Sequence, residues 1–441
     1  YYPSFLEAVL ARGDRRLELT STAYVPPKSQ TVTIEANKTA TVEFANVLKK
    51  WTATVTKRDN ATGTAQGDAS LAGAVYGVYR GATLVDRYTT NASGQFTTKE
   101  YVCGDNWYIQ EITPSDGYLL DTTRYPVGAS AGNFTIEHNQ IPITVHEQVK
   151  LNKISITKYA DMVNGDDQLE EGAVFEVYLK SAGSYANADA AERDRITTNA
   201  SGYAITKDLP AGTYVLHQVA GSDGRELAPD QEVTITEDKS AHATYGVSIT
   251  NSLKLGNLEI RKSSEDGIIE GWDFEITRDI DDWSLVVTTG TDGRAVAKDL
   301  PVYADVAGKQ PIRYTVTEIN VEDKYRQPEP QTVTLTEHAV VTVDVENRIS
   351  RGSIQLLKVD HDGVTPLEGA VYRFWYEDGT EITTATTDKD GKITVENILY
   401  GKFYYQEQTP PEGYDRDETI YEASVERILD KIEDIIPELR E

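Results

Sequence analysis

The chain has 441 residues, and its 43 basic against 71 acidic side chains leave a formal net charge of −28. That balance disfavours nucleic acid, because phosphate binding relies on clustered Lys and Arg, and it reads instead as a solubilising surface. A hydrophobic content of 39% supports real cores, while a single cysteine excludes an internal disulfide framework.

Turn signals recur about every ten residues, and a longer self-similarity recurs at about 100 residues, the pattern of an all-β tandem array. The boundaries set by this period are 1–50, 51–149, 150–253, 254–348 and 349–441. In 1–50, TVTIEA and ATVEFAN predict a closing hairpin around Asn37 and Lys38 that ends at Asn46. No lysine-bearing strand precedes it, and YYPSFLEAVLARGDRR matches no repeat element, so this piece is a partial or irregular module.

Side chains alternate across a strand, so parity along each strand tells which residues share a face. In 51–149, Lys57 follows Ala53 and Val55, Glu111 follows Trp107 and Ile109, and Glu147 follows Ile141, Ile143 and Val145. In 150–253, Lys158 follows Ile154 and Ile156, Gln218 follows Tyr214 and Leu216, and Asn251 follows Val247 and Ile249. The insertion SAGSYANADAAERDR is predicted to be an exposed loop or short helix. In 254–348 the set is complete: Lys262 after Leu258 and Ile260, Glu318 after Tyr314 and Val316, Asn347 after Val343 and Val345. In 349–441, Lys358 follows Ile354 and Leu356 and Glu407 follows Phe403 and Tyr405, but no closing strand ends in asparagine. Instead Val425, Ile428, Leu429, Ile432, Ile435, Ile436 and Leu439 keep helical spacing, predicting a C-terminal amphipathic helix. It is expected to pack on its own module, the alternative being docking to a partner or coiled-coil pairing.

The spacing ties the repeats together. Asn46, Asn251 and Asn347 each lie eleven residues before a lysine, namely Lys57, Lys262 and Lys358. One repeat therefore ends as the next begins.

A lysine, an acid and an asparagine each end an apolar stripe, and burying such groups singly is costly, so they are expected to meet. Desolvation favours a neutral lysine amine and a protonated glutamic acid. The amine can then attack the asparagine carboxamide while the acid polarises it and shuttles protons, and ammonia leaves. A carboxamide is a poor electrophile, so the reaction needs the fixed proximity of a folded core. The alternative from residue types alone is a buried polar triad that only hydrogen-bonds. By this logic Lys262 and Asn347 are the candidate isopeptide pair, with Glu318 as the catalytic acid. Lys57, Glu111 and Glu147 form a degenerate set in which an ion pair is favoured over an amide, unless a bulge brings Gln148 into register. Lys158, Gln218 and Asn251 form another, in which glutamine cannot shuttle a proton and bond formation is expected to be slow or absent. Lys358 and Glu407 form a third without an asparagine.

The repeated LAGAVYGVY, LEEGAVFEVY and LEGAVYRFWY, the turns TTNASGQF, TTNASGYA, TTGTDGRA and TTDKDGKI, and the acid-strand runs WYIQEITPSDGY and FYYQEQTPPEGY resemble a known family. The stretch from Trp51 to Tyr421 is similar to tandem collagen-adhesin B-type modules, the prealbumin-like domains of Gram-positive surface adhesins and pilins. The resemblance implies all-β, Ig-like or prealbumin-like sandwich modules in an elongated array, each closed by a Lys–Asn isopeptide bond assisted by Glu, on a wall-anchored protein. Surface thioester modules of related adhesins use a cysteine, but YVCGDNWY around Cys103 belongs to an ordinary repeat, and an incidental thiol is the better reading.

Other signals fail. LPAGT at 209–213 does not have the order of a sorting signal. Asp388, Asp390 and Gly391 hint at a calcium loop, but Thr386 and Asn397 hold its first and last ligand positions. No zinc, phosphate-loop or nucleophile-elbow pattern is present, so neither metal nor cofactor is expected. No stretch is long and apolar enough to span a membrane, and the chain starts without Met, so a signal peptide is expected outside it.

These readings converge on an extracellular, cell-wall-anchored stalk or adhesin shaft, stabilised by single-turnover self-modification rather than acting as an enzyme. Two alternatives stay open: a region binding a host extracellular-matrix protein or surface glycoprotein, and an accessory stalk of a larger surface enzyme. Head-to-tail self-association, with the Asn46 strand completing the Lys358 module of another copy, is a further expectation.

Overall fold

The computed structural model describes residues 24–426 apart from 26, 129–133, 135 and 237–241. The chain divides into two compact units, one of Tyr1–Ala160, Asp167–Ser222 and Leu227–Ser252, the other of Asp161–Asp166, Asp223–Glu226 and Leu253–Glu441. Each unit contains two sandwiches of packed β-sheets, and the architecture is all-β.

In the first unit, the lysine strand Lys50–Asp59 runs parallel to the closing strand His138–Glu147 and antiparallel to Gln95–Thr97. A second, antiparallel sheet orders Thr83–Thr89, Val75–Arg80, the acid strand Trp107–Thr113 and Tyr125–Val127. Trp51, Ala53, Val55, Tyr76, Val78, Ile109 and Val145 fill the space between the sheets. The next sandwich repeats this plan, with lysine strand Lys153–Ala160 parallel to Thr244–Asn251, and Val174–Leu179 pairing the acid strand Gly212–Ala220. The insertion at 181–195 begins inside one single-turn 3-10 segment, Lys180–Ala182, and holds a second, Ala190–Glu192.

In the second unit, lysine strand Leu255–Ser264 lies between Arg294–Pro301 and the parallel closing strand Val340–Asn347. Asp273–Arg278 pairs the acid strand Arg313–Ile319 in the facing sheet. The last sandwich pairs Arg351–Leu357 with Lys392–Leu399, and its second sheet orders Glu381–Thr386, Val371–Tyr376, the acid strand Gly401–Thr409 and Tyr421–Val425. Among the described residues no closing strand joins Arg351–Leu357. Parity explains the burial throughout: Leu258, Ile260, Tyr314, Val316, Val343 and Val345 are buried, and the residues alternating with them are exposed or half-buried.

One clasp recurs in all four sandwiches. The Oγ1 of Thr90, Thr198, Thr289 and Thr387 donates to the carbonyls of Leu71, Glu170, Ile269 and Leu367, at 2.7, 2.8, 2.7 and 2.7 Å. Two residues after each of those carbonyls stands a glycine with positive φ (Gly73 90°, Gly172 81°, Gly271 80°, Gly369 90°), a conformation that disfavours any side chain. The clasp sets an internal ruler: Leu71, Glu170, Ile269 and Leu367 are equivalent positions.

Inside each unit the linker between sandwiches is held as well. Tyr118, fully buried, bridges Val149, and Leu119 N and Lys150 N bond to Gln148 O and Gly117 O at 2.9 and 2.7 Å. Tyr325, equally buried, bridges Ile349, flanked by Arg326 N to Arg348 O at 2.9 Å and Ser350 N to Lys324 O at 2.7 Å.

Two expectations need correction. The hairpin around Asn37 and Lys38 forms only a turn, with Lys38 N bonded to Glu35 O at 3.1 Å. The strands that do form are Tyr24–Val25 and Val47–Leu48. Without a sheet opposite, Val32, Ile34 and Phe44 remain exposed and alternation alone does not make a strand. At the other end, Val425 belongs to strand Tyr421–Val425 and not to a helix: pairing with the acid strand satisfies backbone groups that a helix there would leave open. The rest of the predicted helix, Ile428 to Leu439, lies outside the described residues.

Candidate functional site

In 254–348 the three strands converge as parity requires. Lys262 faces Val345 across the parallel ladder and Asn347 faces Ser264, so both side chains enter the same layer of core. Asn347 Nδ2 donates to Glu318 Oε1 at 2.7 Å, from a residue with no exposed surface. Lys262 Nζ donates to Ser263 O at 2.6 Å and lies 4.5 Å from the ring centroid of Trp272. Among the described residues nothing hydrogen-bonds Asn347 Oδ1 or Glu318 Oε2. Burial pushes the Lys262 amine below its ordinary range, against the pull of Glu318, and pushes the Glu318 carboxyl up, against the Asn347 hydrogen bond. Both shifts favour the uncharged forms that amide exchange needs. Turning the Asn347 amide by half a rotation presents its oxygen to a protonated Glu318, which then donates.

In 51–149 the same positions hold a lysine between two carboxylates. Lys57 Nζ lies 3.3 Å from Glu111 Oε1 and in direct contact with Glu147 Oε2, all three side chains fully buried. Tyr76 Oη donates to Glu147 Oε1, and the Tyr118 ring centroid lies 4.7 Å from Lys57 Nζ. The closing strand stays in register to its end, with Glu147 opposite Asp59, and Gln148 is exposed. The bulge that would have brought Gln148 inward is not formed, because the unbroken ladder keeps every backbone bond. Burial lowers the Lys57 pKa and raises that of Glu111.

In 150–253 a residue absent from the strand-parity reading enters the site. Glu170 is 2% exposed; its Oε2 lies 3.0 Å from Lys158 Nζ and accepts from Asn251 Nδ2 at 3.0 Å. Ser222 N holds its other oxygen at 2.7 Å. Gln218 occupies the acid-strand position, opposite Phe175 as Glu318 is opposite Phe274, and turns its Nε2 to Ala220 O at 3.1 Å. Ala228 N donates to both Asn251 Oδ1 (2.9 Å) and Gln218 Oε1 (3.1 Å). The signal for Glu170 was available in the extra glutamate of LEEGAV, but only by counting back from Gly172, since Glu170 lies just beyond the short strand Gln168–Leu169.

The last sandwich joins Lys358 Nζ to Glu407 Oε1 at 3.1 Å, with 20% of the lysine side chain exposed. Burial pulls the Lys358 pKa down, but the hydrogen bond to Glu407 and the neighbouring Tyr372 and Glu407 outweigh it and raise the value. No asparagine approaches this pair among the described residues, and Asn46 is exposed. Cys103 is buried against the Trp51 core, and burial raises its thiol pKa. Asp388 Oδ1 accepts from Asp390 N and Lys392 N at 2.9 Å each, the bonding of a turn. No cluster of three metal-ligating side chains exists among the described residues, and no helix there is long and apolar enough to cross a membrane.

Comparison with known proteins bears on the fold of these modules. No curated protein sequence matches the chain. Among solved structures, the Bacillus anthracis TIE protein is similar at 17% identity and a TM-score of 0.49, over 81% of this chain and 67% of that one. The major pilin subunit BcpA of Bacillus cereus is similar at 14% identity and a TM-score of 0.31, over 63% and 96%. The shaft pilin SpaA of Lactobacillus rhamnosus GG is similar at 17% identity and a TM-score of 0.20, over 45% and 98%. Likeness at these identities concerns the fold alone. The sequence model of one family matches residues 52–143, 149–249 and 352–434, well over half of the chain. The sandwich at 254–348 lies outside these matches, but its acid-strand sheet repeats their four-strand order and its lysine strand pairs a parallel closing strand as in the first two sandwiches. The chain therefore belongs to the SpaA family of prealbumin-like fold domains.

Proposed function

We propose that this chain is a structural shaft of a Gram-positive surface protein, extracellular and wall-anchored, built from modules at 51–149, 150–253, 254–348 and 349–441 after a partial module at 1–50. Its third module closes itself with an amide between Lys262 Nζ and Asn347 Cγ. Glu318 acts as the acid: it takes a proton from the amine, delivers one to the departing nitrogen, and ammonia leaves. The observation that carries this reading is the buried Asn347–Glu318 hydrogen bond in the core layer that Lys262 also enters from the adjacent parallel strand, where burial favours the neutral amine and the neutral acid.

Membership of a prealbumin-like domain family supports a structural role, and the parallel pairing of first and last strands gives the bond a mechanical purpose. A load entering at Leu255 and leaving after Asn347 would pass through Lys262 and the amide, bypassing the residues between. Such a module resists unfolding and proteolysis without disulfides, in keeping with one lone cysteine in the chain. The reaction is single-turnover self-modification with no free substrate.

Intact mass under denaturing conditions, followed by peptide mapping, tests the proposal. The expected result is the loss of one ammonia mapped to Lys262–Asn347, abolished by Glu318→Ala. Full mass for this pair in the wild-type chain would reduce the triad to buried polar packing.

A further inference from the structure

Two positions have exchanged character in the sandwich at 150–253. Elsewhere the acid strand supplies the carboxyl at Glu111, Glu318 and Glu407, and the clasp position ahead of the glycine is apolar, at Leu71, Ile269 and Leu367. Here the acid-strand position is Gln218 and the clasp position is Glu170. The carboxyl has moved to the neighbouring element without leaving the site.

We infer that Glu170 is the catalytic acid of a second cross-link, formed between Lys158 and Asn251. The inference rests on the amide-forming reading of the third module. Its chemistry follows from contacts already made. Glu170 Oε2 reaches both the attacking and the departing nitrogen, at 3.0 Å from Lys158 Nζ and 3.0 Å from Asn251 Nδ2. Ser222 N fixes the other oxygen at 2.7 Å, which locks the carboxyl orientation. Ala228 N donates to Asn251 Oδ1 at 2.9 Å, where negative charge develops when the amine adds to Cγ. The third module has no such donor among the described residues. Glutamine at 218 therefore does not disable the site: its amide oxygen shares the Ala228 N–H, and proton transfer belongs to Glu170.

The step balances. Within the dry core Glu170 accepts a proton from the Lys158 ammonium, giving a neutral amine and a neutral acid. The Lys158 Nζ lone pair forms a bond to Asn251 Cγ, and the Cγ–Nδ2 bond breaks. Glu170 delivers its proton to Nδ2 and recovers one from Nζ as the tetrahedral centre collapses. Ammonia leaves, and no oxidant or cofactor takes part.

The test is peptide mapping of the full chain under denaturing conditions, in wild type, Glu170→Gln, and the exchange variant carrying Glu170→Leu with Gln218→Glu. Wild type should lack one ammonia at Lys158–Asn251. Glu170→Gln should regain full mass there while keeping the deficit at Lys262–Asn347, which certifies in the same molecule that the chain has folded. The exchange variant, with the acid returned to the acid strand, should lose ammonia at Lys158–Asn251 again. Persistence of that deficit in Glu170→Gln, or its absence from the folded exchange variant, overturns the role of Glu170. A wild-type chain with the Lys262–Asn347 bond but none at Lys158–Asn251 overturns this inference and leaves the proposed function standing. Absence of both bonds overturns both.

Discussion

Lys262 and Asn347 lie on the same face of adjacent parallel strands, two residues apart in register. The proposed amide between them would close most of the module into one covalent loop. By the chain-entropy argument used for disulfides, closing a loop approaching 100 residues is worth on the order of 4 kcal/mol. Asn347→Ala should lower the stability of this module by that order, read as faster hydrogen exchange at Leu258, Ile260 and Val343 while the exchange of the first unit stays unchanged.

The same variant exposes a pH dependence. In Asn347→Ala both Lys262 and Glu318 remain free to titrate. Burial raises the Glu318 pKa above 4.5, so its contribution is most favourable below pH 4.5 and declines as the pH climbs to the raised folded value. Burial lowers the Lys262 pKa from 10.5, so its penalty is full below the depressed value and lifts as the pH rises to 10.5. Urea midpoints of the module, followed by pulsed exchange, should fall above pH 4.5 and recover toward pH 10.5. The alkaline recovery should vanish in wild type, where the proposed amide would have consumed the amine.

Lys57 is the cation for two buried carboxylates, Glu111 and Glu147. Lys57→Met should destabilise the first sandwich by roughly 3–5 kcal/mol at neutral pH, because it strands both acids. The loss should shrink on acidification as they protonate, and denaturant titrations at two pH values would check it. Residues 57–147 should show no ammonia deficit in any variant.

Arg225, 2% exposed, donates Nε to Asp161 O at 2.5 Å and Nη1 to Gly224 O and Asp305 O at 2.8 and 3.0 Å. Arg225→Ala should cost about 3 kcal/mol by removing three hydrogen bonds made by one buried guanidinium. Faster exchange at Gly308 and Ala304, whose loop the arginine holds, is the measurement; unchanged exchange there would refute the assignment.

Lysine labelling separates closed from open sites. Lys358 keeps 20% of its side chain exposed, whereas Lys57 and Lys158 have none. A brief pulse of an acylating reagent on the native chain should modify Lys358 and spare Lys57, Lys158 and Lys262, as read by peptide mass.

Parity along strands was enough to put Lys262, Glu318 and Asn347 on buried faces, because each sits inside a regular strand with one buried face. It was also enough to place Gln218 in the acid strand. It missed Glu170, which lies between short strands where alternation has no hold; the ruler there is the positive-φ glycine two residues on. It misjudged the segment at 31–46, where alternation exists but no second sheet supplies a surface to bury it. It misjudged Val425 as well, because helical spacing in the residues beyond masked an acid-strand edge waiting for a partner.

The buried tyrosines at the linkers carry a consequence of their own. Tyr118 ties Val149, and Tyr325 ties Ile349, each with flanking backbone bonds, and each hydroxyl reaches back to an aspartate, Asp59 at 3.2 Å and Asp266 at 2.6 Å. Each linker is thereby anchored to the sandwich that precedes it. Within each unit the chain would therefore leave the first sandwich in a set direction, and slack would have to come from beyond these anchors.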